Sequence, residues 1–338
     1  MRRRELIKSV GVGAALLGTS VLEDLTVSTP QSSRAVGMET VEIMREWTHT
    51  FRRVDNRFGG GYSLAQIGKY LGEEVMPKVH DARCNDKVRR ELHAAASELY
   101  QLAGWMSYDI GHTEQGRKCL SRALQLSQTA ANQPFTAELL AGMSHQASFL
   151  RKPEDAVDFA LAAKEAARRT GLNALTSEAA VMAAHGYAQQ GNKRACLAEL
   201  QEAEAEFCRI RRADTPDWLG YFDEAYLSAK FGHALKDLGE AAQAERFAVR
   251  SLQMNDGYDR GRVFNLALLA STLAEQGKVD EAVSFGRQAT ELAGTVRSQR
   301  TTAYLSEVAE RLWPYSDNGA VRGLHKQMSA HRIPLRRL

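Results

Sequence analysis

Small residues recur in three columns along this chain, and they restrict it to closely packed helix pairs. Gly111, Arg151, Gly191, Gly239 and Gly277 mark five equivalent turns, separated by 40, 40, 48 and 38 residues. Five positions after each turn stand Gly116, Ala156, Cys196, Ala244 and Ala282; twelve after stand Ala123, Ala163, Ala203, Ser251 and Ala289. Seven positions before each turn stand Gly104, Ser144, Ala184, Gly232 and Ala270. Two antiparallel helices approach closely only where the side chains at their crossing are small, while larger residues fill the flanking holes. Tyr100, Leu140, Leu200, Leu235 and Leu273 suit those flanking positions. Four of the five turn residues are glycine, as expected where a helix ends in a left-handed residue. A fixed period of this length means units that bury their apolar faces against one another.

The three columns resemble the tetratricopeptide repeat, whose signature places Gly or Ala at the eighth, twentieth and twenty-seventh positions of each unit. The resemblance covers residues 86 to about 315. It implies an all-α fold, a tetratricopeptide-like α-solenoid of about five helix pairs with an N-terminal helical extension and a C-terminal capping pair. A period near 40 rather than about 34 residues implies longer helices or loops. The 48-residue spacing holds RRADTPDWLGY, residues 211–221, which reads as an inserted loop with Trp218 folded back as a plug. After Leu292, helices over 300–315 and 320–331 are expected to cover the exposed end of the array.

Ahead of the repeats, residues 1–37 read as a flexible segment, either a hinge or an export-like leader. Residues 38–85 read as a helical pair around a glycine-rich connector, because three consecutive glycines in RFGGGY cost too much backbone entropy to sit inside a helix. Repeats are then expected over 86–299, with capping helices and a basic tail over 300–338. The opening RRRELIK followed by SVGVGAALLG resembles a twin-arginine export signal built on Arg3 and Arg4. No A-x-A cleavage site follows, Glu23 and Asp24 stand where cleavage should fall, and the stretch 10–22 is too short for a membrane span. The expectation is therefore a cytoplasmic protein, with twin-arginine export as the alternative.

The chain carries 44 Lys plus Arg against 41 Asp plus Glu, and the excess of +3 comes from the ends: Arg2, Arg3, Arg4 and Lys8 at one, Arg332, Arg336 and Arg337 at the other. A nucleic-acid-binding domain carries a basic stripe through its body, so no direct nucleic-acid partner is expected. Cys84, Cys119, Cys196 and Cys208 are widely spaced and read as reduced thiols in helix cores.

Taken with the stretch RRVDNRFGGGYSLAQIGKYL, the chain resembles the sensor portion of actinobacterial helix-turn-helix transcriptional regulators. The matching residues are Arg52, Arg53, Asp55, Arg57, Gly59, Gly60 and Gly61. In that family a DNA-binding domain precedes an RR-containing hinge, an Arg/Asp/Gly-rich connector and tetratricopeptide-like repeats. This chain opens at the hinge, where Arg3 and Arg4 would lie, and lacks the DNA-reading helices. The resemblance implies a full-length helix-turn-helix regulator as one possible partner and a homodimer as another.

No G-x-S-x-G, Walker loop, H-E-x-x-H or dinucleotide motif is present, and the glycine triplet lacks a following Lys-Ser/Thr. No catalytic residue, cofactor or metal is assigned. Three histidines fall in register: His145, His185 and His233 each follow the small eighth residue, with Trp105 and Ser271 at the same position of the outer repeats. In tetratricopeptide arrays the first helix of each pair lines a concave groove, through its second, fifth, ninth, twelfth and thirteenth positions. Those positions hold Glu98, Glu138, Glu178, Tyr226 and Phe264, then Asp109, Phe149, Gln189, Asp237 and Glu275, with Tyr108 and Lys236 beside them.

Such a lining suits an extended peptide, because aromatic anchors fill pockets while polar groups bond its backbone. The partner-binding residues assigned are Trp105, Tyr108, His145, Phe149, His185, His233, Glu138 and Glu178. Two plainer alternatives stay open: a solvated polar face for the histidines, and a core position for Trp105. Adjacent repeats lie roughly 10 Å apart, too far for two such histidines to share a zinc at about 2 Å per bond. With a pKa near ~6.5, the histidines are expected to change charge between about pH 5 and 7 and to make affinity pH-dependent. The function expected is a non-enzymatic regulatory module that recognises a peptide or protein partner in a concave helical groove, in transcriptional or developmental regulation. The alternative is an exported binding protein of the same fold.

Overall fold

A computed structural model describes residues 35–335. The Arg3–Arg4 pair, the rest of residues 1–34, and Arg336 and Arg337 lie outside the described residues. Apart from an isolated bridge between Ala35 and Arg83, the described chain is helix and turn. Helix α1 (Met38–Phe58) ends at Gly59, whose φ of +85° only glycine adopts without strain. A short 3-10 turn, Gly60–Tyr62, leads to α2 (Leu64–Tyr70), which passes through a π-helical turn, Leu71–Val75, into α3 (Met76–Asp81).

Five antiparallel pairs follow: α4 (Asp86–Asp109) with α5 (Thr113–Thr129), α6 (Gln133–Phe149) with α7 (Pro153–Arg168), and α8 (Asn173–Gln189) with α9 (Lys193–Phe207). They continue with α10 (Glu224–Asp237) and α11 (Ala241–Ser251), then α12 (Asp259–Glu275) and α13 (Val279–Ala293). Helices α14 (Gln299–Leu312) and α15 (Gly319–Ala330) close the array. Side-chain caps start several of these helices: Asn85, Asn132, Asn192, Asp223 and Ser298 each accept a bond from a backbone N–H of the first turn. All five repeat turns are left-handed, at φ +85° for Gly111, +54° for Arg151, +71° for Gly191, +79° for Gly239 and +73° for Gly277. The all-α solenoid expected from the small-residue columns is the fold observed.

The columns do the packing work assigned to them. Every one of those small residues is buried. In the first pair the approach is so close that a Cβ added to Gly116 would meet the Gly104 carbonyl oxygen at 2.9 Å. Serines weld the pairs further: Ser97, Ser144 and Ser177 donate to the carbonyls of Ala123, Ala156 and Ala203, each at 2.7 Å. The insertion after the third pair folds onto the inside of the array, with Trp218 edge-on to Phe135 at 5.1 Å and Phe222 buried. Two cysteines depart from expectation. Cys84 lies in the loop before α4 and Cys208 is exposed after α9, while Cys119 and Cys196 are buried.

One feature turns the array back on itself. Helix α1 packs on α4 and also against α12 of the fifth pair. Arg260 of α12 grips Asp55 of α1 through two bonds of 2.7 and 2.8 Å and reaches Asp109 of α4 at 3.2 Å. Asp109 also accepts from the Gly60 N–H at 3.1 Å and the Ser298 hydroxyl at 2.8 Å. The Arg297 N–H donates to the Phe58 carbonyl at 2.7 Å, and its guanidinium lies over the Tyr62 ring. The glycines are required here: a Cβ on Gly59 would fall 2.5 Å from the Arg297 oxygen, and one on Gly60 2.5 Å from the Met106 oxygen. The connector motif of Asp55 and the glycine triplet thus forms a clasp between the two ends of the solenoid.

Candidate functional site

The first helix of each pair faces inward, and with the clasp holding the ends together their inner side chains pack on one another across the array. Of these side chains Trp105, His145, Phe149, His185, Phe264 and Tyr304 are half-buried, while Tyr108, Lys230, His233, Lys236 and Arg300 are buried. The ring chain is continuous. Trp105 stands 5.4 Å from His145 and 5.7 Å from Tyr108; Tyr108 meets Phe149 at 5.4 Å, and Phe149 meets Tyr304 at 5.8 Å. Tyr304 then contacts His233 at 5.3 Å, and His233 stacks on His185 at 6.0 Å. Six of the eight residues assigned from sequence, Trp105, Tyr108, His145, Phe149, His185 and His233, therefore share this ring cluster.

The other two, Glu138 and Glu178, adjoin that cluster through Tyr226 and Lys230 and meet a partner the sequence reading missed. The Tyr221 hydroxyl, from the insertion, lies between the two carboxyl groups, 2.8 Å from Glu138 and 2.9 Å from Glu178, and Tyr226 donates to Glu178 at 3.2 Å. Burial, and then the Glu138 carboxylate beside it, push the Glu178 carboxyl well above the usual carboxylate range. The plug at the insertion is thus shared between Trp218 and Tyr221. Among the other lining positions, Glu98 pairs with Arg45 of α1, Asp109 serves the clasp, and Glu275 pairs with Arg311.

The expectation that the histidines change charge between pH 5 and 7 is overturned for two of them. Burial, then Lys230 and Arg300, hold His145 well below the ordinary histidine value. Burial, then Lys236 and His185, do the same to His233. Low-dielectric surroundings and neighbouring cations both disfavour imidazolium, so both rings favour the neutral form. His185 instead bonds Asp237 at 3.1 Å, and Asp237 also accepts from Gln189 and Arg151, each at 3.0 Å. Burial alone would raise the Asp237 carboxyl, but the His185 bond and the cations Lys236 and Arg151 hold it far below its usual range.

Sequence reasoning also missed Lys230, Arg300, Tyr304 and Glu307. Lys230 lies outside the lining positions of the repeat signature. The other three belong to α14, read only as a cap, yet α14 packs on α12 as one more inward-facing first helix. Arg300 lies over the rings of Phe264, Tyr108 and Phe149 at 4.6, 5.0 and 5.4 Å, and Glu307 forms a buried pair with Lys236.

Burial, and then Arg300, lower the Lys230 ammonium from an ordinary 10.5 to about 7. Between those values the unfolded chain binds more protons than the folded one, so stability rises with pH across that window. The expected result is a gain of up to about 1.4 kcal/mol per pH unit above about pH 7. Urea unfolding midpoints over that range should climb for the wild-type chain and lose this climb in Lys230→Met.

Helix pairs, left-handed turns and an inward-facing polar wall together define a tetratricopeptide-like α-solenoid. Among solved structures, the chain is similar to a Rap protein crystallised in complex with competence and sporulation factor, at a TM-score of 0.55 and 13% identity, over 88% of each chain. At that identity the likeness concerns the fold. No family model and no curated protein matches the chain. Among the described residues, no helix is long and apolar enough to cross a membrane.

Proposed function

We propose that this chain is a non-enzymatic regulatory module that binds a peptide or an extended protein segment on the inner face of the array, in the cytoplasm. The observation that carries this reading is a set of buried polar atoms on the inner face without a hydrogen-bond partner among the described residues: Tyr108 Oη, Gln189 Oε1 and Arg300 Nε. More than about 90% of buried polar groups in folded proteins are satisfied. Tyr108, Gln189 and Arg300 stand in or beside the ring cluster, and unmet groups there suit a surface that completes its bonding with a partner. Alternating rings and amide or carboxyl groups match the needs of an extended chain, whose side chains seek pockets and whose backbone seeks donors and acceptors.

Two further strands support it. The structurally similar Rap protein was crystallised with a bound factor, so a solenoid of this kind accommodates a partner. The clasp residues Asp55, Gly59, Gly60 and Gly61 are those that resemble the connector of helix-turn-helix regulators, which favours a place in transcriptional control, in company with a full-length regulator or a second copy of this chain.

The test is selection of a random-peptide library on the purified chain, followed by titration of the recovered peptides. Recovered sequences should bind the wild type saturably, and Trp105→Ala should weaken them by about ten-fold, or about 1.4 kcal/mol. Equal affinities for the two proteins would place the peptide elsewhere and sink the reading.

A further inference from the structure

Six carboxyl side chains are buried among the described residues, and four of them are paired with a cation. Asp55 and Asp109 share Arg260, Glu98 meets Arg45, and Glu307 meets Lys236. The remaining two are Glu138 on α6 and Glu178 on α8. They stand in hydrogen-bond contact with each other, and neither has a Lys or Arg within salt-bridge distance among the described residues.

The hydrogens around this pair do not suffice for two ionised groups. Gln101 Nε2 donates to Glu138 Oε1 at 3.1 Å, and the Tyr226 hydroxyl donates to Glu178 Oε1 at 3.2 Å. Tyr221 Oη lies 2.8 Å from Glu138 Oε1 and 2.9 and 3.0 Å from the two oxygens of Glu178. A phenol carries a single proton, so it donates to one of these carboxyls and leaves the other contact without a hydrogen. Glu138 Oε2 is buried with no donor among the described residues. Two carboxylates held together away from water repel each other, and the pair is stabilised by keeping one proton between them. An O–H on Glu178 supplies the donor that Glu138 lacks.

We propose that Glu138, Glu178 and Tyr221 hold one proton in common at neutral pH, and that this proton latches the insertion, residues 211–221, onto α6 and α8. The latch stands apart from whatever the array binds. Raising the pH sends the proton to solvent and leaves two carboxylates with one phenolic hydrogen between them. The charged groups around the pair act in the same direction. Lys230 of α10 is the cation acting on Glu178, Arg300 of α14 acts on Tyr226, and Arg52 of α1 reaches Gln101 at 3.4 Å. Lys230, lowered to about 7, gives up its own charge over the same rise. Burial, then the two carboxyls, keep the Tyr221 and Tyr226 hydroxyls protonated. Above the transition the insertion keeps the ring contacts of Trp218 with Phe135 and of Phe222 with Phe207, but loses its polar anchor.

Hydrogen exchange of the full chain tests the latch at the amides of Leu219, Gly220 and Phe222, which bond to the carbonyls of Pro216, Asp217 and Leu219. Their protection, corrected for intrinsic exchange, should fall by about ten-fold between about pH 6 and about pH 9. The readout is local because global unfolding sums this loss with the opposite gain from Lys230. Glu178→Gln carries an amide that donates to Glu138 at every pH, so it should keep the acid-side protection throughout. Tyr221→Phe should show the lower protection at both ends of the range. Infrared difference spectra at about pH 7 read the proton itself: against wild type, Glu178→Gln should lose a protonated-carboxyl C=O band. Loss of a carboxylate band in its place overturns the shared proton. Wild-type protection of the three amides that is the same at both pH values overturns the latch.

Discussion

Replacing Arg260 with alanine is expected to destabilise the protein by about 3–5 kcal/mol, the usual consequence of removing one partner from a buried ion cluster. Asp55 and Asp109 would be left facing each other with side chains only 3% and 1% exposed. The wild-type Asp55 carboxyl is already raised by burial in spite of Arg260, and loss of the guanidinium would raise it further. A carboxyl raised in the folded state holds the fold best when protonated, and its contribution is lost as pH climbs through the raised value. The deficit of Arg260→Ala should therefore shrink as the pH is lowered from about 7.5 toward about 4.5. Hydrogen exchange should localise the damage, with amides of α1 losing protection before those of α6 to α9. Arg260→Lys restores the charge without the two-pronged geometry and should fall between. Unchanged unfolding and unchanged α1 protection in Arg260→Ala would rule the clasp out as a stabilising element.

Gly116→Leu is the second large expected effect. A single Cβ at that position already meets the Gly104 oxygen at 2.9 Å and the Tyr108 Cβ and N at 3.2 Å, so a leucine forces α4 and α5 apart. Overpacking of this kind costs roughly 3 kcal/mol. The damage should extend to the ring cluster, because Tyr108 sits on the displaced helix and carries Arg300 on its ring. Gly68 in α2 provides the control: a Cβ there has nothing within 4 Å. Gly68→Ala should instead stabilise by about 0.5–1 kcal/mol, since alanine loses less backbone freedom in a helix. Urea unfolding of the two variants side by side should show opposite signs, and equal signs would mean that the small columns are not what sets the pair spacing.

The fold could be read from sequence because its determinants are local and repeated. A small residue at a helix crossing and a left-handed turn are specified within one unit, and five copies make the signal unmistakable. The site was legible only where it reuses that register. Trp105, Tyr108, His145, Phe149, His185 and His233 came into one cluster because each occupies an inward position of its own repeat. Lys230, Arg300 and Tyr304 escaped because their role depends on how far the array curls, which sets what each inner side chain meets. The same long-range closure disfavours the charged form of His145 and His233, through burial and cations opposite them that were invisible along the chain. Asp55 and Gly59 to Gly61 were noticed as a motif, but the residue that gives them a purpose, Arg260, lies 205 positions away from Asp55.

An open solenoid behaves like a line of dominoes: each unit leans only on its neighbours, and the outermost ones fray first. Tying Asp55 to Arg260 joins the line into a loop, so the first and fifth pairs become neighbours as well. Holding together points so far apart in sequence carries a chain-entropy cost of about 5 kcal/mol, which places the closure late in folding. Once made, it removes the free ends from which unravelling would start. Melting of the whole chain should then approach a single sharp transition, and cutting the tie should spread it into the stepwise loss of units that a linear array shows.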